Sequence, residues 1–272
     1  MMKSVRFGDG AEVCPIGQGT WQMGSRRREE VQALRHGVEL GMTLIDTAEM
    51  YGNEELVGEA VRDCRDKAFI VSKVHPRNAG YEGTKRACEG SLRRLGTDRI
   101  DLYLLHWKGP YPLEETVRAL AELRREGKIV RWGMSNLDTA DMERVAALPH
   151  GGECASDQVL YNMAERGVEY DLLPWCAEHG MPVMAYTPLE EGKLAGSKVL
   201  AAIAARHGAT PVQVALAWTI RHEGVIAIPK AGSTVHVEEN FRSLSLELTE
   251  ADLADIDAAF PPPAGKVPLV GW

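Results

Sequence analysis

Eight short apolar segments, separated by helical patterns, constrain the fold of this chain more than any other feature. The strand candidates are Ile16–Gly19, Thr43–Ile45, Ala68–Lys73, Ile100–His106, Val130–Met134, Ala155–Val159, Pro182–Tyr186 and Val225–Pro229. The intervals carry apolar residues at helical spacing, as in Arg28–Leu40. Strands that alternate with helices form parallel sheets, and eight such strands close a (β/α)₈ barrel. We therefore predict an α/β protein with the TIM-barrel fold.

Three segments fall outside the eightfold pattern. Ser4–Phe7 and Ala11–Cys14 flank a Gly-Asp-Gly turn, which predicts an N-terminal β-hairpin. The interval before the last strand holds two helical patterns, Ser197–His207 and Pro211–His222, and therefore one extra helix. A second extra helix, Thr249–Ala259, begins with a sequence that resembles a capping box. Because no compositional boundary interrupts the pattern, we expect residues 1–272 to form a single domain.

Composition and charge argue against several classes of function. The net charge of −8 disfavours nucleic acid, because phosphate binding requires a basic face. The five cysteines are scattered and contain no C-x-x-C pair, so we expect neither disulfides nor a metal site. No signal-like apolar segment and no apolar run of about 20 residues is present, so we expect a cytoplasmic protein without a membrane partner.

Polar side chains follow three neighbouring strands at the end where barrel enzymes carry their active sites. Asp46 and Tyr51 follow the second strand, Lys73 ends the third, and His106 ends the fourth. A lysine directly after an apolar strand needs a partner, and Asp46, at the same end of the neighbouring strand, is the obvious candidate. Any one of these residues alone would more often be a helix cap or a hydrogen-bonded core residue. Four of them at one rim favour a catalytic site.

These four side chains have the chemistry of a proton-transfer site. Tyrosine, with a usual pKa of ~10, is a poor acid at neutral pH. The ammonium of Lys73 favours the phenolate, so we expect it to lower the pKa of Tyr51. Asp46 would keep Lys73 in place and charged, and a neutral His106 could donate a hydrogen bond to a substrate oxygen. Such a set could protonate a carbonyl oxygen as hydride reaches the carbon.

The run Asp46–Glu54, followed by Gly58, resembles the signature of the aldo-keto reductases, and the likeness extends over nearly the whole chain. Further matching motifs are Gly19–Trp21, Ser72–Lys73, Leu104–Trp107, Gly127–Arg131, Gly133–Asn136, Gln158, Tyr186–Leu189 and Ile228–Lys230. The resemblance implies NAD(P)H-dependent reduction of aldehydes and ketones to alcohols. By the same resemblance, Tyr51 is the general acid, Asp46 and Lys73 tune it, and His106 orients the carbonyl.

The resemblance also implies that NADPH binds in an extended form without a Rossmann fold, and no G-x-G-x-x-G follows a strand. Ser135, Asn136 and Gln158 match positions that hold the nicotinamide carboxamide, and Tyr186 matches the aromatic that stacks on the ring. The implied cofactor-binding residues are Gly19, Thr20, Trp21, Asp46, Ser135, Asn136, Gln158, Tyr186, Thr187, Pro188, Leu189, Gly192, Ile228, Pro229, Lys230, Ala231, Gly232, Ser233, His236, Glu239 and Asn240.

The sequence departs from the family pattern near the expected 2′-phosphate site. Many relatives have Ser directly after the lysine that matches Lys230 and Arg six positions after it, where this chain has Ala231 and His236. We expect NADPH as cofactor, with NADH possible. Short loops after the fourth and seventh strands predict a shallow pocket that accepts a broad range of aldehydes. The substrate-facing residues would be Trp21, Tyr51, His106 and Trp107, with Tyr111 and Trp272 as further candidate walls.

Two other functions are compatible with parts of the pattern. One is a non-catalytic, cofactor-binding regulatory subunit, like the potassium-channel β subunits. The other is an aldolase that forms a Schiff base on Lys73, although pairing with Asp46 would keep that amine protonated. We expect a small carbonyl compound as the partner, and a monomer.

Overall fold

The computed structural model describes residues 3–270, and within them short strands alternate with α-helices. The strands are β1 (Val5–Arg6), β2 (Glu12–Val13), β3 (Gln18–Gly19), β4 (Leu44–Asp46), β5 (Phe69–Val74), β6 (Ile100–Leu105), β7 (Ile129–Ser135), β8 (Cys154–Leu160), β9 (Val183–Tyr186) and β10 (Val225–Ala227). The α-helices are α1 (Arg27–Leu40), α2 (Glu54–Val61), α3 (Tyr81–Leu95), α4 (Leu113–Arg125), α5 (Thr139–Ala147), α6 (Leu172–Glu178), α7 (Lys198–His207), α8 (Pro211–Thr219), α9 (Thr234–Arg242) and α10 (Glu250–Ala259).

Strands β3 to β10 form one parallel sheet in the order of the sequence, with each strand paired to the next. Parallel bridges at Ile16–Ala227 and Gly19–Lys230 join its first and last strands. The amide of Gly17 donates to the carbonyl of Ala227 at 2.8 Å across this seam. The sheet is therefore closed on itself, and its helices lie outside it, as the alternation in the sequence predicts.

The hairpin β1–β2 packs at the end of the barrel where the strands begin. Its Phe7 ring stacks on Phe69, the first residue of β5, at 5.2 Å between ring centres. Arg131 lies over both rings and forms an ion pair with Asp9 at 2.7 Å. The apolar side chains of the hairpin belong to the same cluster as those inside the barrel. This end is filled, which leaves the carboxyl ends of the strands for a site.

Two helices lie outside the strand–helix repeat. Helix α7 precedes α8 between β9 and β10, and α10 follows α9 near the end of the chain. They contact each other through Asp252, which accepts hydrogen bonds from Arg206 and lies 2.7 Å from Nε2 of His207. Both extra helices therefore pack together on the outside of the barrel.

Some element boundaries differ from the sequence-based prediction. Helix α3 begins at Tyr81, two residues before the helical pattern Gly83–Leu95 that the sequence predicts, and a Cβ at Gly83 would lie 2.3 Å from the carbonyl oxygen of Asn78. The glycine is required by this close approach and does not mark the helix start. Helix α8 ends at Thr219 and not at His222, because the chain turns before Gly224, whose φ is 83°.

Within residues 3–270, no single helix is long and apolar enough to cross a membrane. Only the neighbouring helices α7 and α8 taken together have the length and apolar composition of a membrane span, and they are bent by 93° relative to each other.

Candidate active site

The four residues predicted to be catalytic meet at the carboxyl end of the barrel. Asp46 is the last residue of β4, and Tyr51 follows in a short 3₁₀ turn, Glu49–Tyr51. Lys73 is the fifth residue of β5, and His106 comes directly after β6. Because β4, β5 and β6 are adjacent in the sheet, the fold brings together residues 60 positions apart in the sequence.

Lys73 and Asp46 form a buried ion pair below the rim. The ammonium lies 2.8 Å from Oδ2 of Asp46 and also donates to the carbonyl of Thr47 at 2.8 Å. The other carboxylate oxygen of Asp46 accepts from Nε2 of Gln158 at 2.7 Å. Burial lowers the pKa of Lys73, but the charge of Asp46 and the hydroxyl of Tyr51 raise it, and the pKa ends above its ordinary value. Lys73 is therefore held as a cation.

The ring of Tyr51 lies between this pair and His106. The ammonium of Lys73 is 5.0 Å from the centre of the Tyr51 ring, and the His106 ring meets it edge-on at 5.6 Å. Burial raises the pKa of Tyr51, and this effect outweighs the lowering by Lys73, while the charge of Asp46 raises the pKa further. The prediction that Lys73 would bring this pKa below its usual value is therefore wrong. Tyr51 keeps its proton at neutral pH, as a proton donor must.

His106 is neutral at any working pH. Burial, together with the positive charge of Lys73, lowers the pKa of His106 to about 2. Its Nδ1 atom is buried and has no hydrogen-bond partner among the residues that the structure describes. A neutral imidazole retains one N–H, which is free to donate to a ligand oxygen.

The residues matched to the nicotinamide form one hydrogen-bonded group beside Asp46. Ser135 donates to the carbonyl of Gln158 at 2.8 Å, and the side-chain amide of Asn136 donates to Ser135 Oγ and to the carbonyl of His106, both at 3.1 Å. The hydroxyl of Tyr186 donates to Oδ1 of Asn136 at 2.8 Å. Asn136 has a φ of 59°, a left-handed conformation that asparagine tolerates better than most residues. The structure thus brings these four residues together.

The loop after β9 has an unusual backbone. Thr187, Glu190 and Glu191 all have φ near +50°, and Gly192 follows at 89°. Asn162, which is fully buried, donates to the carbonyl of Thr187 at 3.0 Å and to Glu190 at 3.1 Å. Strained backbone that is fixed by a buried side chain is common at ligand sites. Sequence reasoning selected this loop but missed Asn162, because that residue follows β8 and no local signal connects it to β9.

The segment after β10 exposes a cation next to a helix N-terminus. Lys230 is exposed, whereas Ile228, Pro229, Ala231 and Gly232 are buried. Ser233 is the N-cap of α9, and its hydroxyl accepts from the amide of His236 at 3.4 Å. An N-terminus with a nearby lysine attracts phosphate.

The two residues matched to the adenine lie further along α9. The carboxylate of Glu239 accepts a hydrogen bond from Thr210 Oγ1 at 2.7 Å, and Asn240 is buried. At the opposite side of the site, both the amide and the hydroxyl of Thr20 donate to the carbonyl of Asp46. Glu239 and Thr20 therefore stabilise the fold through these hydrogen bonds.

The profile of the Aldo/keto reductase family matches residues 15–260. The chain belongs to this family. It is similar to a methylglyoxal reductase of Escherichia coli, with 52% identity over 278 residues and 98% of each protein covered. It is also similar to a glyoxal reductase of Bacillus subtilis, with 34% identity over 94% of this chain and 92% of that protein.

Solved aldo/keto reductase structures have the same fold. One from Klebsiella pneumoniae, in complex with NADP and acetate, is 51% identical and gives a TM-score of 0.97, with 100% of both chains covered. Another from the same organism, in complex with NADPH, gives the same TM-score at 50% identity. The family predicted from the sequence motifs is confirmed, and with it the prediction of an oxidoreductase.

Two aromatic side chains, Trp21 after β3 and Trp107 after β6, follow strands at the carboxyl end of the barrel in this aldo/keto reductase. Trp21 is 44% exposed, and the ring of Trp107 lies 4.7 Å from that of His106. His75, which sequence reasoning missed, meets the Trp107 ring edge-on at 5.3 Å. Its amide donates to the carboxylate of Glu49, which fixes the loop after β5. His75 could have been found by reading two residues beyond Lys73. The candidate wall residue Trp272 lies outside the described residues.

Among residues 3–270 there is no group of three or more His, Cys, Asp or Glu side chains that could hold a metal ion. The titratable residues of the site are Tyr51, His106 and the Lys73–Asp46 pair, which can transfer or direct protons.

Proposed function

We propose that this chain is an NADPH-dependent carbonyl reductase in which Tyr51 donates the proton. The observation that carries the proposal is the position of Tyr51. Its ring lies over a buried Lys73–Asp46 pair and beside a histidine that burial keeps neutral. A protonated phenol beside a cation that can stabilise the phenolate is suited to donate its proton.

The residues at the barrel mouth fit a nicotinamide dinucleotide. Tyr186 offers a half-buried ring, and Ser135, Asn136 and Gln158 offer amide and hydroxyl groups beside Asp46. Lys230 and the N-terminus of α9 offer positive charge for phosphate. The Klebsiella relatives were crystallised with NADP and with NADPH, which supports NADPH here. When bound, NADPH supplies a hydride to the carbonyl carbon.

Each residue of the site has a separate task in this proposal. His106 donates a hydrogen bond to the carbonyl oxygen and orients it against Tyr51. Tyr51 transfers its hydroxyl proton to that oxygen, and the phenolate that remains is stabilised by the ammonium of Lys73. Asp46 keeps Lys73 charged, and Gln158 fixes the second oxygen of Asp46. Water then returns a proton to Tyr51.

We propose small dicarbonyl compounds, such as methylglyoxal and glyoxal, as the substrate class. The relatives at 52% and 34% identity are named for reducing these two compounds. The short loops after β6 and β9 support a shallow pocket that accepts small substrates. The single domain, the monomeric state and the cytoplasmic location remain predictions.

The geometry disfavours a Schiff-base aldolase. An amine must lose its proton before it can attack a carbonyl, and Asp46 with Tyr51 holds the pKa of Lys73 above its ordinary value. Borohydride treatment in the presence of aldehydes should therefore leave Lys73 unmodified.

A panel of carbonyl compounds, each with NADPH and with NADH, tests the proposed function. We expect small aldehydes and dicarbonyls to oxidise NADPH, with one molecule of the corresponding alcohol formed for each NADPH consumed. A protein that binds NADPH tightly but oxidises it with none of these compounds would be a cofactor-binding subunit and would overturn the proposal.

A further inference from the structure

Arg26 lies beside the loop that follows β10, although some 200 positions separate them in the sequence. A Cβ at Gly232 would lie 3.2 Å from Nη2 of Arg26 and 3.9 Å from Nζ of Lys230. Two cationic side chains, one from each end of the chain, thus flank the same glycine. Closure of the barrel between β3 and β10 brings them together.

The local contacts leave the guanidinium of Arg26 accessible. Its Nη1 atom donates to Oε2 of Glu29 at 3.1 Å, whereas Nη2 is the atom nearest to Gly232. The side chain is 58% exposed, so a ligand can reach it. The nearby carboxylate of Glu30 is buried and accepts a hydrogen bond from the amide of Gly24 at 2.7 Å.

A third source of positive charge meets the same place. Gly232 is followed by Ser233, the N-cap of α9, and this nine-residue helix directs its first amides toward the loop. Two cations and a helix N-terminus together form a site for a dianion, because guanidinium, ammonium and amide groups all donate to phosphate oxygens.

We propose that Arg26 and Lys230 together bind the 2′-phosphate of NADPH, and that Arg26 determines the preference for NADPH over NADH. This inference rests on the proposed function, which requires the cofactor. The cation that can donate two hydrogen bonds to the phosphate is then Arg26, in the segment before α1. His236, the residue that the sequence suggested for this role, is exposed on the first turn of α9. A guanidinium stays charged at every working pH and can donate two parallel hydrogen bonds to a phosphate.

The test compares the dissociation constants of NADP⁺ and NAD⁺ by calorimetry for the wild type and two variants. We expect Arg26→Ala to weaken NADP⁺ binding about tenfold and to leave NAD⁺ binding unchanged, since only NADP⁺ carries the 2′-phosphate. Arg27→Ala is the matched control. It removes the same charge one residue away, from a side chain paired with Glu59 at 2.8 Å, and should change neither constant.

Two further measurements separate Arg26 from other cations. Arg26→Lys should recover only part of the NADP⁺ affinity, because an ammonium cannot bind phosphate in a bidentate way. In the wild type, the preference for NADP⁺ should persist from about pH 6 to about pH 9, because a guanidinium stays charged across this range, and a preference that disappears within it would contradict the role of Arg26.

The outcomes distinguish this inference from the proposed function. A wild type that binds NADP⁺ no more tightly than NAD⁺ would overturn the proposed cofactor. A wild type that prefers NADP⁺, together with an Arg26→Ala variant that keeps the full preference, would overturn the role of Arg26 alone. Equal losses in Arg26→Ala and Arg27→Ala would also overturn it, since they would show a diffuse effect of net charge.

Discussion

Tyr51 is the residue on which the proposed chemistry depends most directly. Its ring lies over the Lys73–Asp46 pair, and its hydroxyl holds at neutral pH the proton that it would donate. We expect Tyr51→Phe to lower kcat by about 10²–10⁴, which is the usual contribution of general acid catalysis. The dissociation constant of NADPH should stay the same, because the ring is retained. Turnover close to that of the wild type would show that another group supplies the proton.

Asp157 is a buried carboxyl group that the proposed chemistry does not use. It precedes Gln158 on β8, and because neighbouring strand residues face opposite sides, it points away from Asp46 and toward the outer helices. Its two oxygens have no hydrogen-bond partner of good geometry among residues 3–270. Burial raises the pKa of Asp157 from 3.8 to about 8, although the amides of Leu137 and Gln158 lower it in part.

This raised pKa predicts how stability depends on pH. Between pH 3.8, the ordinary value, and about pH 8, the folded protein holds a proton that the unfolded chain has lost. The Asp157 contribution therefore destabilises the fold progressively as pH rises through this window. Asp157→Asn removes the titration and should be more stable than the wild type near pH 8, by on the order of 1–3 kcal/mol, with the difference vanishing in acid. Melting temperatures of both proteins across this range test it, and parallel curves would contradict it.

At the scale of elements, the loop after β9 depends on a contact from another strand–loop segment. The side-chain amide of Asn162 donates to Thr187 and Glu190 and so holds the loop, and its side-chain oxygen Oδ1 accepts from the backbone amides of Ala164 and Glu165. We expect Asn162→Ala to weaken NADPH binding by about tenfold, because the loop would no longer be held in its left-handed conformation. Stability should fall by about 1–3 kcal/mol from the unsatisfied amides.

The control for this loop is Lys193→Ala, which removes an exposed ion pair between Lys193 and Glu190 within the same loop. Exposed pairs contribute little, so that variant should bind NADPH normally. An Asn162→Ala protein that loses stability but keeps its NADPH affinity would show that Asn162 supports the fold only.

Local spacing in the sequence predicts the alternation of strands and helices. It also predicts which residues lie at the strand ends. Asp46, Lys73 and His106 each lie at or beside the end of a strand, and parallel pairing alone brings them together. The approach of Arg26 and Lys230 to the same glycine, Gly232, could not be predicted in this way, since it depends on how the closed barrel aligns its two ends. The pKa of Tyr51 was mispredicted because a neighbouring charge is visible in the sequence, whereas the depth of burial is not.

At the scale of the whole molecule, stability and chemistry lie at opposite ends of the barrel. The hairpin inserts Phe7, which is 1% exposed, under the first residues of the strands, whereas Tyr51 and His106 lie at the other end. Truncating a buried phenylalanine removes its apolar contacts and leaves a cavity, at a usual cost of about 3–5 kcal/mol.

We therefore expect Phe7→Ala to lower the free energy of unfolding by this amount while kcat and KM of the folded enzyme stay unchanged. Denaturant titration and steady-state kinetics on the same preparation measure both, below the melting temperature of the variant. The matched variant is Trp107→Ala, which alters the rim beside His106 and should change KM for the carbonyl substrate with a smaller loss of stability. If Phe7→Ala altered KM as strongly as Trp107→Ala, the hairpin would be coupled to the site through the barrel core, and the two ends could not be treated as independent.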